Sequence, residues 1–295
     1  MTVRAARRRL GNLWGYVFIA PLVIDFAIFT GAMAVRAIVL SFQELKLGQW
    51  QWVGLENYAF SLRDDLFWNA LRNTLAYTLA VVGGGLLLAL PFAAFIVGRR
   101  ARTQTLLKGA VYLPGVVSTV ALSMVWLYLY QPMFGLLNFL LSLVGLPPQQ
   151  WLASPGLAMP SIVLMTLVSA SGVAVVLLTA SMGGIPKDYH DAAEIDGAGP
   201  WQRFRFVTVP LVRPVILYLL VIGFVSHFQV FEQMYVLTNG GPGFPPATET
   251  VALRIYDAIN GIRLGQAAAD SVLLFVFIAV FALMQFKVLS GDVEY

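Results

Sequence analysis

Two segments of this chain concentrate the residue types that recognise other molecules. The first runs Ile-Pro-Lys-Asp-Tyr-His-Asp-Ala-Ala-Glu-Ile-Asp-Gly-Ala-Gly-Pro-Trp-Gln-Arg-Phe-Arg-Phe-Val-Thr-Val-Pro from Ile185 to Pro210. The second is a set of polar residues in an apolar run: Ser226, Gln229, Glu232 and Gln233. Neither is a catalytic constellation. The sequence has no cysteine, so thiol nucleophiles, disulfides and Cys-based metal sites are excluded. His190 and His227 are the only histidines and no His-Glu-x-x-His occurs, which argues against a His-rich metal centre. No Gly-x-x-x-x-Gly-Lys-[Ser/Thr] phosphate loop is present, so any ATP and Mg²⁺ would belong to another subunit. What remains is docking for the first segment and hydrogen bonding for the second.

The elements that must position them are membrane spans. The 295 residues are 59% hydrophobic and only 12% charged, about half the charge of an ordinary soluble domain. A span needs roughly 20 mainly apolar residues. Six stretches qualify: about 14–40, 70–97, 109–130, 157–182, 215–237 and 266–289. The expected fold is all-α, one polytopic transmembrane domain. Pro21, Pro91 and Pro160 fall in or near these spans, where neighbouring helices can satisfy the freed carbonyls. The Arg cluster and Ala32-Met33-Ala34 resemble a secretory leader, but the apolar run is too long for one, so a retained span is expected. Gly11 and Gly15 have helix-dimer spacing in a single copy, which chance readily supplies.

Basic residues orient the spans. Arg4, Arg7, Arg8, Arg9, Arg99, Arg100, Arg102, Lys108, Lys187, Arg203, Arg205, Arg213 and Lys287 fall on one side, leaving only Arg36, Lys46, Arg63, Arg72, Arg254 and Arg263 of the nineteen. That side is predicted to be cytoplasmic, with both termini inside. The segments 43–69, 131–155 and 238–265 are then outer loops. The 183–212 connection is cytoplasmic.

Within that connection, Pro186 suits a first helical turn. Asp188 and Asp191 favour the positive end of a helix. Ala192 and Ala193 are strong helix formers, and Gly197 can take the left-handed conformation that ends one. Pro200 can start a second short helix, and Pro210 and Pro214 punctuate the approach to the fifth span. The small side chains would let a partner approach the backbone closely. An ordinary inner loop would read the same way.

The pattern Asp191-Ala192-Ala193, Asp196-Gly197-Ala198, Phe204 and Pro210 resembles the cytoplasmic loop of binding-protein-dependent ABC importer permeases. Asp191 stands where the family usually has Glu. Thr238-Asn239-Gly240-Gly241-Pro242, Trp52-Val53-Gly54-Leu55-Glu56-Asn57-Tyr58 and Gly135-Leu136-Leu137-Asn138 resemble stretches of the maltose-type and glycerol-phosphate-type sugar permeases. The resemblance implies a type I importer permease core in a bacterial cytoplasmic membrane. It implies two cytoplasmic ATPase subunits in the complex, one of them docked on Asp188, Asp191, Ala192, Ala193, Asp196, Gly197, Ala198 and Pro210. It also implies a second permease subunit, generally a different chain, and an extracytoplasmic solute-binding protein delivering a sugar or polyol.

On an uninterrupted helix at about 100° per residue, Ser226, Gln229, Glu232 and Gln233 share an arc of about 120° while His227 points elsewhere. Such a stripe faces either a watery solute path or a hydrogen-bonded seam with a partner helix. A second functional class, an ion-coupled carrier or channel, would need membrane-embedded charge, for which Asp25 and Glu232 are the candidates.

Overall fold

The computed structural model describes residues 16–46 and 48–289. The N-terminal arginines, Gly11, Gly15 and the first residues of the first span lie outside them. The described residues are mostly helical. Helix α1 is Tyr16–Ser41, with a π turn at Phe26–Gly31. A hairpin of β1 (Gln43–Lys46) and β2 (Gln49–Trp52) follows, then α2 (Glu56–Arg63) and α3 (Asp65–Val97). Next come α4 (Ala101–Tyr112), α5 (Thr119–Leu129), α6 (Leu136–Leu143) and α7 (Pro155–Gly183). The connection holds α8 (Lys187–Ile195) and α9 (Pro200–Arg203); α10 (Arg213–Phe228), α11 (Glu232–Leu237), α12 (Val251–Asn260) and α13 (Leu264–Leu289) complete the chain.

Among the described residues, three helices are long and apolar enough to cross a membrane: α1, α3 and α13. Three bent helix pairs pass the same test of length and composition, which gives up to six spans if each pair is one span. The third span departs most from the sequence reading. It is not one helix over 109–130 but Ala101–Val116 and Thr119–Leu129, meeting at 95°. Pro114 lacks an N–H and sits in a 3-10 turn, and Val117 and Ser118 then run extended, so the α ladder cannot continue. Pro91 and Pro160, by contrast, stay inside α3 and α7. The hairpin is a small departure from an all-α chain, and α2, α6 and α12 give structure to segments expected only as outer loops.

The chain forms two compact units. One contains the described residues up to Arg63 together with Asp257–Leu273; the other is Asp64–Tyr256 with the described residues from Leu274 onward. In the first unit, Asn57 Nδ2 donates to the carbonyls of Ser41 (2.9 Å) and Gln43 (3.0 Å), tying α2 to the end of α1. In the second unit α3 and α7 form the central pair. Tyr77, Val81, Ile162, Met165 and Met234 make one buried cluster, and Ala89, Ala93, Ile96, Leu178 and Val212 another. Burial of these side chains between helices cannot be driven by hydrophobicity in lipid, so close packing must supply the energy. Gly172 shows how: a Cβ there would lie 2.6 Å from the Val111 carbonyl oxygen, so only glycine lets α7 approach α4 so nearly.

Candidate functional site: a protruding helix pair and a cavity between the spans

Helix α8 begins after Pro186, which caps it with φ −56° and ψ 138° rather than entering its first turn. It ends in a Schellman motif. The Ala198 N–H donates to the Ala193 carbonyl (2.9 Å) and the Gly197 N–H to the Glu194 carbonyl (3.0 Å). Gly197 takes φ +83°, which a Cβ disfavours. The chain then turns back through Gly199, whose N–H donates to Gln202 Oε1 (2.8 Å), and α9 starts at Pro200. An ion pair between Arg203 and Glu194 ties the two short helices together.

This pair protrudes. Asp188, Asp191, Ala192, Asp196, Gly197 and Pro210 are exposed, and Ala193 and Ala198 half-buried. A notch of about 290 Å³ runs along Ala193, Asp196, Gly197, Ala198, Gln202 and Phe206. Ile195 is 87% exposed, and Trp201 and Phe206 are also bare. The sequence reading missed these three, which sit among the charged and polar residues of the connection. Beyond the pair, Pro200–Leu211 meets α10 at 67°, with Pro210 and Pro214 flanking the bend.

The polar residues of the fifth span do not share one helix. α10 ends at Phe228, Gln229 has φ −96° and ψ 17°, and α11 starts only at Glu232. The uninterrupted wheel that grouped the four residues therefore fails across Gln229–Phe231. Ser226, on α10, lines a cavity of about 180 Å³ together with His227, Thr166, Val82, Gly85 and Gly223. His227, expected to point elsewhere, lines the same cavity as its neighbour on α10, Ser226. Its ring meets Tyr77 edge-on at 5.9 Å, and Tyr77 Oη is 3.0 Å from Thr166 Oγ1. Gln229 and Glu232 are exposed and Gln233 half-buried, and none of the three lines this cavity; Gln229 Nε2 donates to the Val225 carbonyl (3.0 Å). Of the two candidate carrier carboxylates, Asp25 lies on the exposed surface of α1. Asp270 in α13 is fully buried, an intramembrane acid the sequence reading passed over.

Comparison with known proteins gives this arrangement its class. Residues 85–290 match the family described as binding-protein-dependent transport system inner membrane component. The trehalose/maltose transport system permease protein MalF of Thermococcus litoralis is 32% identical over 93% of this chain and 92% of its own length. The arabinooligosaccharides transport system permease protein AraP of Bacillus subtilis is 30% identical over 94% of this chain and 88% of its own. The lactose transport system permease protein LacF of Rhizobium radiobacter is 29% identical over 97% of each. A crystal structure of a bacterial alginate ABC transporter, in complex with an alginate pentasaccharide-bound periplasmic protein, contains a chain of the same fold. It aligns with TM-score 0.83 at 22% identity over 97% of this chain and 96% of that one.

The polytopic helical fold with a protruding helix pair between its spans, taken with these matches, places the chain among the transport subunits of membranes. This chain belongs to the binding-protein-dependent transport system inner membrane component family and is a permease subunit of an ABC importer.

Proposed function

We propose that this chain forms one half of the translocation path of an ATP-driven importer for a sugar, an oligosaccharide or a related polyol. It sits in a bacterial cytoplasmic membrane. The reading rests on the α8–α9 pair, whose shape and bare apolar side chains suit a protein partner and whose sequence carries the family pattern in register. One of two cytoplasmic ATPase subunits, which hold the ATP and Mg²⁺, grips Asp188, Asp191, Ala192, Ala193, Asp196, Gly197, Ala198 and Pro210. Ile195, Trp201 and Phe206 supply apolar anchors at the rim of the notch. ATP-driven closure of the ATPases moves the helix pair, and the 67° bend passes that motion into α10. A second permease chain completes the path, and an extracytoplasmic binding protein delivers the solute.

Sugar as the solute is supported by the curated relatives, whose names specify trehalose/maltose, arabinooligosaccharides and lactose. Ser226 at the cavity, with Gln229, Glu232 and Gln233 beyond it, offers hydroxyl, amide and carboxylate groups, each able to bond several sugar hydroxyls. The test is uptake by the reconstituted complex. It requires ATP and the binding protein, and an ionophore leaves it intact. Uptake that survives without ATP and collapses with the ionophore would instead establish an ion-coupled carrier.

A further inference from the structure

The segment between α5 and α7 is built unlike an aqueous loop. No Asp, Glu, Lys or Arg occurs anywhere between Lys108 and Lys187, so the connection is as free of charge as the spans it joins. Helix α6 within it is inside-out. At about 100° per residue, Leu136, Phe139, Leu140 and Leu143 share an arc of about 100°, and all four are exposed. Asn138, on the opposite side, is buried. A helix packed on a protein surface in water shows the reverse order.

Several polar groups of the segment are satisfied from within, as an apolar surround favours. Asn138 uses its whole amide: Nδ2 donates to the Pro132 and Gln149 carbonyls (3.0 Å each), and Oδ1 accepts from Gln149 N–H (3.0 Å) and Trp151 Nε1 (2.9 Å). The C-terminus of α6 closes in a second Schellman motif, with Leu146 N–H donating to Leu141 (3.0 Å) and Gly145 N–H to Ser142 (3.1 Å). Met133, 94% exposed, and Phe134 extend the apolar face toward α5.

We propose that α6 is a lipid-contact helix, with its Leu136–Phe139–Leu140–Leu143 stripe seated among the acyl chains of the leaflet where α5 ends. Its position argues for lipid, because it starts seven residues after a span ends, counting from Leu129 to Leu136. The stripe lacks the small residues that let membrane helices approach each other, which disfavours a partner permease helix. It has no charged rim, which disfavours a soluble binding protein. The helix then fixes the depth of the outer end of the bent third span, through the Asn138 clamp.

The absence of native cysteine makes the test direct. Single cysteines at Phe139 and Leu143 carry a nitroxide in the assembled transporter, held in nanodiscs of phosphatidylethanolamine and phosphatidylglycerol. Cysteine at Phe244 serves as the aqueous reference. Oxygen, which partitions into lipid, should relax both labels several-fold more than a water-soluble nickel chelate does, with the opposite order at Phe244. Preference for the chelate at 139 and 143 would make the segment an aqueous loop. Low access to both reagents would make it a protein interface. Either result overturns the proposal. If a variant does not assemble, Leu136→Cys and Leu140→Cys read the same face.

Discussion

Arg254 and Asp64, 190 residues apart, form an ion pair of 2.5 Å in which the arginine side chain is nearly buried. Asp64 also caps a helix, because its Oδ1 accepts the Leu66 N–H (3.0 Å) at the start of α3. One carboxylate therefore starts the central helix and fastens α12 beside it. Around it Asn69 and Asn73 donate to the Pro246 carbonyl, and Asn73 also to Glu249.

Replacing Asp64 separates the cap from the ion pair. Asp64→Asn can keep the cap and loses the charge, whereas Asp64→Ala loses both. The alanine variant should cost about 2–4 kcal/mol, from about 1 for the cap plus the broken pair. The asparagine variant should cost less. Thermal unfolding in detergent should rank wild type above Asp64→Asn above Asp64→Ala; indistinguishable midpoints would show that the pair contributes nothing.

The topology has a simple check. Phe244 is 88% exposed, and Asp188 is exposed on α8. Cysteine at Phe244 should react with an impermeant maleimide in spheroplasts, and cysteine at Asp188 only after the membrane is opened. Labelling of 188 alone in sealed cells would invert the assignment.

Ile195 touches almost nothing in its own chain, so Ile195→Asp should leave expression and unfolding unchanged. Docking of the ATPase should weaken at least tenfold, roughly the scale of an interface hot spot. Co-purification and stimulated ATP hydrolysis read this directly. Gly197→Ala differs: nothing would meet its Cβ within 4 Å, so the cost is conformational, about 1 kcal/mol at φ +83°. Transport should fall only in part, and Gly197→Asn should be milder. Full retention of ATPase binding by Ile195→Asp would remove that side chain from the interface.

In the fifth span, Gln229→Leu and Gln233→Leu, made singly, should reduce uptake while the complex stays assembled. Ser226→Phe should do so more strongly, because the ring occupies the cavity shared with His227. Size-exclusion of the purified complex separates the alternatives. Dissociation of the subunits in the glutamine variants would assign these residues to a seam instead of a solute path.

Hydropathy alone located the long spans. α3, α7 and α13 begin and end within a few residues of the apolar runs, because a lipid surround leaves a polar backbone no alternative to helix over that length. The Asp-Gly-Ala turn was equally legible, since Gly197 ends a helix by local geometry and needs no distant contact. What sequence could not supply is where a span breaks and what each side chain faces. The third span breaks beside Pro114, while helix continues through Pro91 in α3 and through Pro160 in α7, so proline by itself does not decide where a span breaks. The break at Gln229–Phe231, which takes Glu232 and Gln233 off the helix that carries Ser226, has no signature in an apolar run. In lipid the usual guide also fails: side chains facing neighbouring helices and side chains facing acyl chains are both apolar, so periodicity does not separate inside from outside. The tertiary structure decided that α6 turns its asparagine inward and its leucines outward, and that Arg254 finds a carboxylate 190 residues away.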